Sequence, residues 1–154
     1  MPNLFLDLGI HLYNLSSFLI DENPSAVFAN FLKYKNIISD SKLLLNYKSG
    51  TKGFFWISKS SLGSKNDLKI ELFFEKRSIL WSQNNLEYIF INDQEGKQTR
   101  IDRSVKSTIF NDKRYNRYRM GHPVGFVEAF SNIYEDIAHD HIDNNNQYVF
   151  ELEI

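Results

Sequence analysis

Cysteine is missing altogether from the 154-residue chain, which removes disulfide staples and thiolate metal ligands and gives no sign of an oxidising compartment. Neither sign of charge dominates, since 18 Lys and Arg stand against 19 Asp and Glu. No global field therefore steers the chain toward nucleic acid or an anionic membrane. Long hydrophobic runs are also lacking: nothing approaches the roughly 18 apolar residues of a membrane-spanning helix. The start, Met1-Pro2-Asn3-Leu4-Phe5-Leu6-Asp7, has neither the basic flank nor the apolar stretch of a signal peptide. These absences predict a soluble, cytoplasmic protein with no membrane and no nucleic-acid partner.

What is present is core material. Hydrophobic residues make up 42% of the chain, aromatic residues 15% and charged residues 24%, with only three prolines, the composition of a folded protein rather than a disordered one. The length suits one domain with a single core, so residues 1–154 are expected to form a single domain.

Apolar residues Ile10, Leu12, Tyr13, Leu15, Phe18 and Leu19 recur at three- and four-residue steps, which predicts a helix over 8–20, closed by Asp21-Glu22-Asn23-Pro24. Strands are expected over 25–35, 42–48, 54–61, 68–74, 78–82, 86–92 and 97–105, with turns at Ser49-Gly50-Thr51-Lys52-Gly53 and Asp93-Gln94-Glu95-Gly96. Pro123 is expected to start a second helix whose inward face is Val127, Phe130, Ile133, Tyr134 and Ile137. After the polar stretch 144–147, the alternation in Tyr148-Val149-Phe150-Glu151-Leu152-Glu153-Ile154 reads as a last strand. The order helix, many strands, helix gives an α+β fold: a large, open, mostly antiparallel sheet with helices packed on one face.

Four groups of residues could carry chemistry. Asp7 and His11 are four apart and share a helix face if the helix begins by residue 7, where a carboxylate would fix the tautomer of the imidazole and raise its basicity. The plainer alternative makes Asp7 a helix cap and His11 an ordinary side chain. His122, between Gly121 and Pro123, sits at a turn that is either a ligand wall or a helix lead-in. The run Asp136, His139, Asp140, His141, Asp143 invites a metal, but residues 139 and 141 cannot share a helix face, which favours a solvated helix end and no metal site. Lys113-Arg114-Tyr115-Asn116-Arg117-Tyr118-Arg119 alternates basic and aromatic residues, as phosphate and base binders do, yet it is short and the protein is neutral. No Gly-x-Gly-x-x-Gly follows a strand anywhere, so no cofactor-binding residues are expected in this chain.

Three motifs in order carry a family resemblance: Asp7-Leu8-Gly9-Ile10-His11, the central stretch 58–81 with Gly63-Ser64-Lys65-Asn66-Asp67-Leu68, and Gly121-His122-Pro123-Val124-Gly125. Together they resemble the C-terminal domain of the Gfo/Idh/MocA oxidoreductases. The resemblance implies a substrate-binding and oligomerisation domain of an NAD(P)-dependent sugar or polyol dehydrogenase. In that picture Asp7 and His11 belong to the catalytic set, while Lys65, Asn66 and His122 line the substrate. It also implies a separate Rossmann domain for the cofactor, homo-oligomers formed through the sheet, and a chain incomplete at both ends that is inactive alone. A non-catalytic interaction module built on the open sheet is the competing expectation. Where the family tends to have a Gly-x-x-Gly turn, this chain has Phe74-Glu75-Lys76-Arg77, so the turn is expected to be rebuilt or strained by about 1 kcal/mol per site.

Overall fold

The computed structural model describes residues 3–105, 114, 116–122 and 124–143. The expected last strand after residue 147, Lys113, Tyr115 and Pro123 lie outside the described residues, as do the side chains at 140–143. The chain divides into two compact units, 1–65 and 66–154.

The first unit begins with a π-helical turn, Phe5–Gly9, that runs straight into α1, Ile10–Ile20. Asp21 closes α1 in the left-handed conformation (φ 52°), donating its backbone N–H to Ser17 O. Three antiparallel strands follow, β1 (Ala26–Tyr34), β2 (Ile37–Asn46) and β3 (Lys52–Ser58), in the order β1-β2-β3. The β1–β2 hairpin turns on Lys35 and Asn36, both at positive φ (47° and 62°), the backbone that a two-residue turn needs to match strand twist. Glu22 secures the next turn: its Oε1 accepts from the backbone N–H of Lys48 at 2.6 Å and of Ser49 at 3.2 Å.

Pleating sorts the side chains of this sheet into two faces. Val27, Leu45 and Gly53 lie opposite one another, as do Phe31, Ser41 and Ile57. This face meets the helix: Phe5 packs edge-on to Phe31 with ring centroids 5.7 Å apart, and Leu4, Leu45, Tyr47 and Ile57 are buried. The other face carries the cross-strand row Phe28, Leu44, Phe54 with Trp56 beside it, all exposed. Trp56 Nε1 donates to Asp40 Oδ2 on that face at 2.7 Å.

The second unit holds a four-stranded antiparallel meander, β4 (Lys69–Phe73), β5 (Arg77–Ser82), β6 (Tyr88–Asp93) and β7 (Gln98–Asp102), in sequence order. Ile70, Trp81, Ile89 and Ile101 align across it, next to Leu72, Ile79 and Ile91. The other side carries a polar ladder in which Asn92 donates to Ser78 Oγ at 3.1 Å and Gln98 to Asn92 Oδ1 at 2.9 Å. At Phe74-Glu75-Lys76-Arg77 the turn is rebuilt without strain, because no residue there takes a positive φ and Phe74 N–H still closes the hairpin onto Arg77 O at 2.8 Å. The α+β class and the antiparallel sheet architecture thus match the sequence expectation, with the seven strands among the described residues dividing into sheets of three and four.

Helix α2, Phe126–Asp143, starts three residues after Pro123 and corrects one expectation outright. Its supposed inward face, Val127, Phe130, Ile133, Tyr134 and Ile137, is exposed, together with Phe126. Glu128, Ser131, Asn132 and Asp136 are the half-buried positions instead. The reason is electrostatic: Arg103, Arg114 and Arg117 reach the polar side of α2 and cover it.

Candidate functional site

Asp7 falls inside the π-helical turn and His11 in the first turn of α1, and both are exposed. A π turn adds a residue to the helical repeat, so i and i+4 side chains no longer stack as they do in an α-helix, and such turns often mark functional positions. The Asp7 carboxylate forms an ion pair with Lys59, just beyond β3. No hydrogen bond or ion pair joins Asp7 to His11 among the described residues. Lys59 is thus a participant that the sequence does not single out, and nothing local signals it, because it lies 52 positions after Asp7.

Between this helix and the sheet runs an open apolar groove of about 560 Å³, walled by Phe5, Gly9 and Tyr13 on one side and Val27, Leu45 and Ile57 on the other. Tyr13 OH donates to Asn23 Oδ1 at 3.3 Å at its margin. Asp7 and His11 sit on the wall helix without lining the groove. Lys65, exposed and at φ 51°, ends the first unit.

Asn66 and His122 belong to the second unit, and both are exposed. His122 occupies a tight turn: its backbone N–H donates to Arg119 O at 3.2 Å, and its ring Nδ1 lies 3.0 Å from the same carbonyl oxygen. Gly121 makes the turn possible with φ 87°, in the left-handed region that glycine enters without penalty. A carbonyl only accepts, so the ring contact selects the Nδ1–H tautomer and leaves the imidazole lone pair on Nε2.

Behind this turn stands an ion pair that the sequence reading missed altogether. Arg103, 9% exposed, donates through Nε to Glu87 Oε2 at 2.8 Å and through Nη2 to Glu87 Oε1 at 3.1 Å. Its Nη1 lies 3.5 Å from Tyr118 O and 3.7 Å from Glu128 Oε1. Hydrogen bonding from Arg103 holds the Glu87 carboxyl below its ordinary value, and its burial opposes that shift in part.

The basic and aromatic tract resolves in the same way. Arg114 grips Asp136 with two bonds, Nη1 to Oδ1 at 2.6 Å and Nη2 to Oδ2 at 2.9 Å, while Arg117 bonds Asn132 and Glu135. Two of its arginines therefore serve α2 rather than an external phosphate, and Asp136, first residue of the candidate metal run, has an arginine for a partner.

Comparison with known proteins adds a common ancestry to this geometry. A family model described as the GFO/IDH/MocA C-terminal domain matches residues 3–80, just over half of the chain. No curated protein matches the sequence. Among solved structures, an oxidoreductase from Sinorhizobium meliloti is 24% identical with a TM-score of 0.77 over 88% of this chain and 41% of its own. An oxidoreductase from Pseudomonas syringae is 20% identical, TM-score 0.79, over 94% of this chain and 41% of its own. An inositol dehydrogenase homolog from Azotobacter vinelandii, solved with NADH and myo-inositol, is 22% identical, TM-score 0.73, over 86% of this chain and 36% of its own. At such identities the likeness establishes the fold, and the chain spans about two fifths of the length of these structures.

Proposed function

This chain belongs to the GFO/IDH/MocA C-terminal domain family, and from that premise we propose that it is the substrate-binding domain of an NAD(P)-dependent sugar or polyol dehydrogenase, inactive by itself. The observation that carries the reading is the family match over residues 3–80, which contains the Asp7-Leu8-Gly9-Ile10-His11 motif where the π turn runs into α1. In this reading His11 accepts the proton of a substrate hydroxyl. Asp7, neutralised by Lys59, anchors the turn that presents it. Lys65, Asn66 and His122 offer exposed donors and acceptors to sugar hydroxyls.

Bound NAD(P) would supply a hydride acceptor, but the residues present do not fit that group. Every strand pairing among the described residues is antiparallel, whereas a dinucleotide cradle is a glycine-rich turn between a strand and a helix of a parallel βαβ unit. We therefore assign the cofactor to a separate Rossmann partner. Titration of the chain with myo-inositol, followed by the ring signals of His11 and His122, should show saturable shifts, while NADH should not bind. Absence of any saturable polyol shift, or tight NADH binding, would overturn the reading.

The exposed row Phe28, Leu44, Phe54 favours a second use of the same domain. A sheet face so apolar suits self-association, as a homo-oligomer of the dehydrogenase or as a non-catalytic dimerisation module. Sedimentation of Phe28→Lys against the unaltered chain tests it, and identical monomeric profiles for both would dismiss the sheet as an interface.

A further inference from the structure

Helix α2 keeps one apolar side uncovered. Phe126, Val127, Phe130, Ile133, Tyr134 and Ile137 are 43% to 77% exposed, while Glu128, Ser131, Asn132 and Asp136 on the opposite side are half-buried. Along the middle of this stripe Phe126, Phe130, Ile133 and Ile137 follow one another at steps of four, three and four, the spacing by which one helix seats in the grooves of another. Their order is also symmetric about the point between Ser131 and Asn132. A second α2 running antiparallel on a two-fold axis at that point meets Phe126 with Ile137 and Phe130 with Ile133, each ring against an aliphatic side chain. Val127 then stands beside Tyr134 on one flank. The other flank holds Ala129, which is small, and Asp136, whose charge Arg114 takes up in a two-bond pair. The Phe126 and Phe130 rings already pack on each other with centroids 4.6 Å apart, which fixes part of the stripe in advance of binding.

We propose that the apolar stripe of α2 is a homodimer interface, in which two copies of the chain pair their α2 helices antiparallel. This pairing does not depend on the dehydrogenase-domain reading, and it is distinct from association through the sheet. The six exposed side chains present on the order of 700 Å² per copy, against roughly 800 Å² that each partner contributes to a stable interface of standard size. A lipid surface is a poorer occupant. Helices that lie on membranes carry Lys and Arg on their polar side, whereas the charged residues of α2 other than its histidines are Glu128, Glu135, Asp136, Asp140 and Asp143, all acidic. The arginines that reach this helix are bonded to Asp136, Asn132 and Glu135 and do not supply the missing basic face. An unrelated protein partner requires no symmetry in the stripe. A second copy does, because an isologous contact needs one surface to fit itself, and the antiparallel arrangement also opposes the two helix dipoles favourably.

Sedimentation equilibrium of the whole chain, from low micromolar to several hundred micromolar protein, tests the pairing. The unaltered chain should pass from monomer to dimer over that range. Phe130→Glu and Ile133→Glu put a charge at the middle of the contact and should leave a monomer throughout, with an unchanged far-ultraviolet circular dichroism spectrum, because both positions are exposed in the single chain. Leu62→Glu alters a residue that is 99% exposed but outside α2, and it should dimerise like the unaltered chain. Should a glutamate variant not fold, Phe130→Ala should weaken the dimer about tenfold. The chain has no cysteine, so Ala138→Cys provides one spin-label site per copy. In an antiparallel pair the two labels lie thirteen residues apart along the axis, about 20 Å, whereas a parallel pair holds them at the same level. A chain that stays monomeric at every concentration would overturn the proposal, as would a dimer that survives both glutamate variants. A dimer abolished by Phe28→Lys but kept by the α2 variants would assign the contact to the sheet instead. Labels found at the same level would overturn the antiparallel arrangement.

Discussion

Gly9 faces Ile57 across the groove between the first helix and the sheet. A β-carbon built on Gly9 would stand 3.5 Å from Ile57 Cδ1 and 3.1 Å from Phe5 Cδ1. The backbone at Gly9 is ordinary helix, φ −65°, so this glycine is there for its size and not for conformational freedom. The glycine of the Asp-x-Gly-x-His motif thereby gains a physical role: it leaves room for the Phe5 ring within the same turn, where even a β-carbon would stand 3.1 Å from it.

Two substitutions at Gly9 should separate size from backbone preference. Alanine gains up to about 1 kcal/mol of helix propensity and loses part of it to the Phe5 contact, so Gly9→Ala should change stability by less than about 1 kcal/mol. Valine adds bulk that neither Phe5 nor Ile57 can yield to, and should cost about 1 to 3 kcal/mol, the usual range for overpacking. Urea unfolding of both variants checks this, and equal effects would mean that the seam is looser than the geometry indicates.

Neighbouring leucines on β2 offer a second contrast, because pleating sends them to opposite faces. Leu45 is 5% exposed and Leu44 51% exposed. Truncating Leu45 to alanine should cost about 2 to 5 kcal/mol, whereas Leu44→Ala should cost less than about 1 kcal/mol in the monomer. If the sheet face is an interface, Leu44→Ala should instead weaken self-association. Unfolding midpoints at low protein concentration, compared with sedimentation at high concentration, distinguish the two effects.

Local period and turn chemistry made much of the first unit readable. The three- and four-residue steps of Leu12, Leu15 and Leu19 announce α1, and Gly50 announces the β2–β3 turn. The β1–β2 turn is not readable, because Lys35 carries a positive φ that lysine rarely adopts, and the local pattern places Lys35 inside a strand. In the candidate site, the motif residues could be found by spacing, but their partners could not. Lys59 meets Asp7, and Arg103 meets Glu87, through contacts set by tertiary structure rather than by sequence neighbours. The outward turn of the apolar stripe of α2 was hidden for the same reason, since three arginines from outside the helix decide which side is covered.

Acid should loosen the second unit first through these carboxylates. Glu87 is held below its ordinary value near 4.5, chiefly by Arg103, and Asp136 below its value near 3.8, chiefly by Arg114. A carboxyl whose folded pKa is depressed contributes stability that is fully present above its unfolded value and is lost as pH falls through the folded one. Thermal melts should therefore be flat above about pH 5 and decline progressively below about pH 4.5. In Arg103→Met, which removes the partner of Glu87, the acid decline should be shallower, and an unchanged slope would show that this pair does not contribute to the pH dependence.

The reversed face of α2 yields the sharpest conflict between pattern and structure. By periodicity alone, Phe130 and Ile133 belong to a core and Asn132 and Asp136 to solvent, so polar replacement of the first pair should be ruinous and truncation of the second harmless. The structure requires the opposite order. Phe130 and Ile133 are 43% and 51% exposed, and replacing either with glutamine should cost less than about 1 kcal/mol, since little contact is lost. Asp136 accepts two bonds from Arg114, with both side chains at most 16% exposed. Asp136→Ala removes both of these bonds and should cost about 1 to 2 kcal/mol, less than for a fully buried pair because some water still reaches the site. Measured by urea unfolding of the three variants, a larger loss at Phe130 or Ile133 than at Asp136 would mean that the apolar stripe is the covered side after all.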